Sequence, residues 1–328
     1  MNTEIDKSGN SGSGQRPNFE EPLRALRQWD GGVPGPAIFY GFSDMDEVRL
    51  ERFGLVWQEV QPARRASLLR HLTEAGESNV DLNYRAPGML ALRDPAAAVR
   101  RAAIELLWED ESRELLRELL VLTQRDQALS VRSAAASALG RYVLAAELGK
   151  IESGRGVAVQ QVLSEIWLNH REDSELRRRA LESLANSSAA IVPGAILEAW
   201  RSDDHELRAS ALYAMGRSCD QRWEEIVLDA LRHDDPALRY EAVRASGDLE
   251  ILTAVPVLGE LLQDQDAEIR GAAIQALGDT GGSSAISLLQ QLAAEAEEES
   301  DETLLEAVEE ALENASFGNL DINPDFGN

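Results

Sequence analysis

The 328-residue sequence has a single cysteine, Cys219, which excludes an intrachain disulfide. No apolar run approaches the roughly 18 residues that a membrane span requires. Met1 to Pro17 lacks the apolar core of a secretory leader, so the expected location is cytoplasmic. Aromatic side chains make up only 5%, and a core must therefore come from Leu, Ile, Val and Ala, which suits packed helices. Positive charge is missing from one whole end. Residues 271–328 carry 13 acidic and no basic side chains and supply half of the formal net charge of −26. That balance opposes nucleic acid, whose phosphates need cations, and anionic membrane surfaces. A protein or peptide partner is expected instead, and a basic one fits the charge.

Catalytic signatures are equally scarce. No Gly-x-Gly-x-x-Gly follows a strand-like run, and no Gly-x-Ser-x-Gly elbow occurs. The only histidines are His71, His170, His205 and His233, with no converging set for a transition metal. No catalytic residue, metal ligand or cofactor is assigned.

What the chain does contain is a repeat. Asp204-His205-Glu206-Leu207-Arg208 returns as Asp235-Pro236-Ala237-Leu238-Arg239 and as Asp266-Ala267-Glu268-Ile269-Arg270, with the arginines 31 residues apart. Each arginine is followed by Ala at the third position (Ala211, Ala242, Ala273) and Gly at the eighth (Gly216, Gly247, Gly278). A fixed period of this size specifies stacked helical hairpins rather than one globular core. The Asp stands where a helix N-cap belongs, and Pro236 at the first helical position. Leu207, Ala211 and Met215 form an apolar stripe, as do Leu238 with Ala242 and Ile269 with Ala273 and Leu277. The Gly is expected to end the helix in the left-handed conformation.

Weaker copies run Asp94 to Arg100, Asp126 to Arg132 and Asp173 to Arg177, giving six. The aligned acids and arginines (Asp94, Asp126, Asp173, Asp204, Asp235, Asp266; Arg100, Arg132, Arg177, Arg208, Arg239, Arg270) are expected to form an inter-repeat ladder. The spacing from Arg132 to Arg177 is about 14 residues longer than the others. The extra length is assigned to a prolonged helix, Arg141 to Leu148, and a loop, Gly149 to Gly156.

The pattern Asp-x-x-[Leu/Ile/Val]-Arg-x-x-Ala-x-x-x-[Leu/Met]-Gly resembles the HEAT repeat over roughly residues 80–315. It is most similar to the short form of phycobilisome-lyase-type HEAT-like proteins. The resemblance implies an all-α, right-handed α-solenoid. Functions in that family are diverse, so the fold alone implies little about activity; the favoured expectation is a non-enzymatic scaffold or adaptor that offers its concave face to a protein or peptide partner. Two alternatives accompany it. One is a HEAT-like enzyme, a bilin lyase or a metal-dependent oxygenase. Deoxyhypusine-hydroxylase-type enzymes hold iron with His-Glu pairs just after the repeat arginine, whereas His205-Glu206 precedes Arg208. The other is a structural protein acting by self-association.

In chain order, residues 1–18 read as a disordered start and 19–79 as an arm and an atypical capping helix pair. Within the arm, Phe19 to Asp30 reads as a short helix, Gly31 to Pro36 as a linker, and Ala37 to Phe42 as a non-helical apolar cluster. That cluster reads either as a cover for the first helix pair or as a docking contact. The pair Asp44 to Val60 and Pro62 to Glu77 lacks the Asp–Arg signature. Residues 80–282 hold the repeats. Residues 283–315 form an acidic capping pair, with Leu304, Val308 and Leu312 as its seam. Residues 316–328 read as a flexible tail.

Positions one and five after each repeat arginine share a helix face. They include Arg178/Glu182, Ala209/Tyr213 and Tyr240/Arg244. Tyr and Arg are enriched at binding hot spots. Arg178, Tyr213, Tyr240 and Arg244 are thus the candidate partner-binding residues, the alternative being that the tyrosines pack flat between repeats.

Overall fold

The computed structural model describes residues 19–317, and among these described residues there are α and 3-10 helices and no strands. The stretches assigned to a disordered start and to most of the tail lie outside the described residues. The chain divides into two compact units, residues 1–110 and 111–328, and this boundary falls within the stretch assigned to repeats.

The first unit holds α1 (Glu20–Gln28), α2 (Pro36–Phe42), α3 (Glu47–Glu59), α4 (Pro62–Ser78), α5 (Arg85–Ala91) and α6 (Ala97–Leu106). Residues 36–42 are a helix, contrary to the non-helical expectation. Pro36 sits at its first position, where its missing N–H costs nothing. Ile38 and Phe42, four apart, bury one face. Phe42 then continues an aromatic file, 6.2 Å from Phe19 and 4.9 Å from Phe53, which in turn lies 5.2 Å from Trp57. The arm thus covers α3.

The α3–α4 pair carries the arginine register of the repeats. Arg65 lies four residues after the N-cap Gln61, with Pro62 at the first helical position. This is the register of Asp235, Pro236 and Arg239. Arg65 pairs with Asp94 at 3.2 Å, and the Trp57 indole donates to Asp94 Oδ2 at 2.9 Å.

The second unit holds α7 (Arg113–Arg125), α8 (Leu129–Glu147), α9 (Ser153–Leu168), α10 (Ser174–Leu184), α11 (Val192–Trp200), α12 (His205–Arg217), α13 (Glu224–Ala230), α14 (Pro236–Asp248), α15 (Val255–Leu261), α16 (Ala267–Thr280), α17 (Gly282–Glu299) and α18 (Glu302–Phe317). The second helices of successive hairpins pack in one file, α8 to α10, α12, α14, α16 and α18. The stripe Leu207, Ala211, Met215 is buried, as are Leu238, Ala242, Ile269, Ala273 and Leu277. Leu207→Ala should therefore lower stability by about 2–5 kcal/mol by leaving a cavity between repeats. A calorimetric melt identical to wild type would show that this stripe does not form the core.

The caps split into two registers. Asp173, Asp204, Asp235 and Asp266 are N-caps whose carboxylates accept backbone N–H bonds. Asp94 and Asp126 stand two residues earlier. They accept from Ala96 N and Ala128 N, each at 2.9 Å, as Asp264 does from Asp266 N. Of the expected ladder, the N-cap acids Asp173, Asp204, Asp235 and Asp266 pair with no repeat arginine, whereas Asp94 meets Arg65 of the preceding hairpin. The arginines instead clamp their own hairpin loop. Arg100, Arg132, Arg239 and Arg270 donate to the carbonyl six residues earlier, at 2.9, 3.2, 2.8 and 2.7 Å. Contact with the next repeat runs through that same earlier position. Arg239 meets Asp264 at 3.2 Å, and Arg208 meets His233 Nε2 at 3.0 Å. Arg177 departs from the pattern and donates to Trp167 O at 3.0 Å.

The repeat glycines do not end their helices either. Gly216, Gly247 and Gly278 lie inside α12, α14 and α16. Positive φ occurs three residues later, at Cys219 (50°), Glu250 (51°) and Gly281 (63°). Glycine is needed for close approach. A Cβ on Gly216 would lie 2.9 Å from Ala245 Cα, and one on Gly247 3.0 Å from Ala276 Cα.

In the long spacing, α8 is prolonged as expected, but the loop is only 148–152. Gly154, Arg155 and Gly156 belong to the start of α9. Gly156 lies against Ala146, where a Cβ would come within 2.4 Å. At the far end Val308, Ala311 and Ala315 are buried, while Leu304 and Leu312 are only half-buried. Glu302, Glu306, Glu309, Glu310 and Glu313 face solvent. The last helix runs on through Phe317, two residues into the stretch assigned to the tail.

A groove along the second helices

The file of second helices in the second unit brings positions one and five after each arginine onto one face. Side chains four apart on a helix stack one above the other, and the next helix supplies the next pair. The result is a groove of about 870 Å³ whose lining includes Ser137, Arg178, Glu182, Tyr213, Tyr240 and Arg244. All four candidate residues line it.

Tyr213, Tyr240 and Arg244 meet across α12 and α14. The Arg244 guanidinium lies 5.6 Å from the Tyr213 ring centre and 5.7 Å from that of Tyr240, within the range of cation–π attraction. Burial raises the Tyr213 hydroxyl above its ordinary pKa; Arg217 and Arg244 pull it down, and Glu182 pushes it up. Arg178 is mostly covered and donates to both Glu175 and Glu206. Arg179 pairs with Glu175 at 2.9 Å and Glu182 at 3.0 Å. Burial works to raise the Glu175 carboxyl, but the bonds from Arg178 and Arg179 hold it below the usual range. Ser210 donates to Glu182 at 2.6 Å.

Glu241 behaves in the opposite way. Burial raises it, and Glu182 and Asp248 add to this against the pull of Arg244. Asp279 is raised by burial and then by Asp248 and Glu250.

The sequence reading missed the groove residues at positions two and nine, namely Arg179 and Glu241, and Arg141 and Arg217. The column Arg141, Asn186, Arg217, Asp248, Asp279 recurs nine residues after each arginine. It is the signal that would have found the second set. The other members of the predicted row lie elsewhere: Arg101 pairs with Glu105 at 2.9 Å on α6, and Gly271 and Gln275 are exposed on α16. His205 lies 3.4 Å from Glu206 in an exposed pair. Among the described residues no three His, Cys, Asp or Glu side chains are grouped as metal ligands would be. No described helix is long and apolar enough to cross a membrane.

Hairpins stacked in file, four of them clamped by an arginine to their own loop, define an all-α solenoid. The chain belongs to the HEAT-repeat family, whose repeats match residues 87–185 and 224–313, more than half of its length. No curated protein matches the sequence. Among solved structures it is similar to the Escherichia coli protein YibA, at 13% identity, with 85% of this chain and 96% of that chain covered and a TM-score of 0.47. Human deoxyhypusine hydroxylase is similar at 16% identity, covering 91% and 96%, with a TM-score of 0.34. Importin beta is similar at 14% identity, covering 90% of this chain but 44% of that one, with a TM-score of 0.44.

Proposed function

We propose that this protein is a non-enzymatic scaffold that binds a segment of a partner protein along the groove of α8, α10, α12, α14 and α16. We read its setting as cytoplasmic and its short, 31-residue period as that of the phycobilisome-lyase-type HEAT-like branch. The observation that carries the binding role is the meeting of Tyr213, Tyr240 and Arg244 from neighbouring repeats in one groove. Large, stiff rings and a guanidinium give contact area at small entropic cost, which is why such residues dominate binding energy. HEAT hairpins also suit the role, because stacked repeats expose a long continuous face.

The test is a double substitution, Tyr213→Ala with Arg244→Ala. Neither residue belongs to the apolar stripe, so the fold should persist. A partner recovered from source lysate with the wild-type chain should bind the variant about tenfold or more weakly in a calorimetric titration, corresponding to at least about 1.4 kcal/mol. Equal affinity for both chains would remove the groove from the binding surface.

A further inference from the structure

The kind of segment that binds can be read from the arginines, on the footing that the groove is the docking face. The lining includes Arg141, Arg178, Arg179, Arg217 and Arg244. Two of these are used within the stack. Arg178 is only 14% exposed and is held by Glu175 and Glu206, while Arg179 is held by Glu175 and Glu182. Arg244 is different. Its side chain is 42% exposed, and its one carboxylate contact is Glu241, at 3.4 Å through Nη1. A guanidinium presents five N–H donors in a fixed fork, so four of them meet no acceptor among the described residues. Arg217 is 38% exposed; it donates to Asn186 at 3.2 Å and comes no nearer to Asp248 than 3.9 Å.

What holds Arg244 is aromatic. Its guanidinium carbon lies 5.6 Å from the ring centre of Tyr213, on α12, and 5.7 Å from that of Tyr240, four residues earlier on α14. Ring contacts attract the cation and restrict its rotamers without using any of its donors. The fork is thereby fixed before a ligand arrives, which lowers the entropic cost of binding. Arg217 and Arg244 both act on the Tyr213 hydroxyl, so two guanidinium groups and an O–H donor share one stretch of the groove. The acids around them are engaged or resist ionisation. Glu182 accepts from Arg179 at 3.0 Å and from Ser210 at 2.6 Å. Glu206 is held by Arg178, and Asp266 caps α16. Burial raises the Glu241 carboxyl, against the pull of Arg244. Net charge is +1 in each of α8, α10 and α12, zero in α14, −1 in α16 and −5 in α18. An anion is therefore drawn to the α8–α14 part of the file and repelled from its end.

We propose that Arg244, clamped by Tyr213 and Tyr240, takes the carboxylate of an Asp or Glu side chain in an extended segment of the partner protein, with Arg217 as the second cation beside it. Arg–carboxylate pairs form two parallel N–H···O bonds and are about twice as strong as neutral hydrogen bonds. Glu241, Asp248 and the exposed Glu268 flank this place, and they repel a run of negative charge. The segment therefore carries a single acid among uncharged neighbours.

The experiment passes a display pool of random peptides over the immobilised full chain at about 0.15 M salt, where charges are screened beyond roughly 8 Å. Peptides of about nine residues suffice, because three helix intervals of roughly 8–10 Å are covered at about 3.3 Å per residue. Captured peptides are sequenced and compared with the pool before selection. Wild type should enrich peptides that carry one Asp or Glu about fivefold or more. Arg244→Gln should remove that enrichment. Arg244→Lys should remove most of it, because an ammonium keeps the charge but not the fork. The control is Arg232→Gln, the same loss of charge at an exposed arginine that pairs with Glu260 and is not part of the groove lining. It should select as wild type does. An enriched peptide, labelled with fluorescein, should then bind Arg244→Gln about tenfold or more weakly by anisotropy. A melting curve on each variant checks the fold.

Equal losses in Arg244→Gln and Arg232→Gln would overturn the proposal, because overall charge would then explain the capture. Enrichment of basic or uncharged peptides, abolished by Tyr213→Ala, would overturn the carboxylate assignment and leave the groove as the docking face. Undiminished selection of acidic peptides by Arg244→Lys would overturn the fork. A pool from which wild type enriches nothing would overturn the proposal too. Capture unchanged by every groove substitution would overturn it and count against the docking role of the groove as well. The titration of the lysate partner tests that role separately.

Discussion

Asp94→Ala should destabilise the first unit by about 3–5 kcal/mol, the cost of leaving half of a buried ion pair behind. The Asp94 side chain is 1% exposed and that of Arg65 7%, with 3.2 Å between them. The same carboxylate accepts from the Trp57 indole at 2.9 Å and from Ala96 N at 2.9 Å. Alanine therefore strands a covered guanidinium and two N–H donors at once, and each buried donor without a partner adds its own penalty. The double variant Arg65→Met/Asp94→Leu should recover most of the loss, since a well-packed apolar pair costs no charge desolvation. Urea titrations followed by tryptophan fluorescence can check both, because Trp57 lies beside the pair. A cost below about 1 kcal/mol for Asp94→Ala would mean that the pair is hydrated rather than buried.

The same site shows where sequence reading succeeded and where it slipped. The period, the stripe through Leu207, Ala211 and Met215, and the caps at Asp204, Asp235 and Asp266 were all legible. A 3.6-residue periodicity and an acid before a helix are local signals. The register of Asp94 and Asp126 was not. An aspartate six residues before the arginine and one four residues before it both accept an N–H two residues on. Pattern alone cannot separate them. Arg65 was passed over because its helix is preceded by Gln61 rather than an acid, and Leu68 stands where the other repeats have Ala. Its role depends on Asp94 in the following hairpin, which is a tertiary fact. The groove was half legible for a related reason. Reading Gly216 and Gly247 as helix ends cut the face short, so Arg217 and Asp248, which follow them within the helix, were left off it.

Gly278→Val should release the last hairpin, and the reason is steric rather than conformational. Gly278 has no positive φ, so the substitution carries no left-handed strain. A Cβ there would instead lie 2.9 Å from Ala311 O and 3.0 Å from Ala311 Cα. Those are backbone atoms of α18, which no side-chain rotation can move away. Alanine should cost about 1–3 kcal/mol by overpacking, and the branched side chain more. In a stack each repeat leans on its neighbours, so the damage should stay local. Hydrogen exchange should show the amides of α17 and α18 losing protection while those of α3 and α4 keep theirs. Gly271→Ala, on the same helix, is the control: nothing lies within 4 Å of its Cβ. That change should stabilise α16 by about 0.5–1 kcal/mol, because alanine loses less backbone freedom on folding. Opposite signs at two glycines seven residues apart would separate close helix approach from chain flexibility as the role of the repeat glycine. A Gly278→Val protein that melts like wild type would mean that α18 does not pack on α16 this closely.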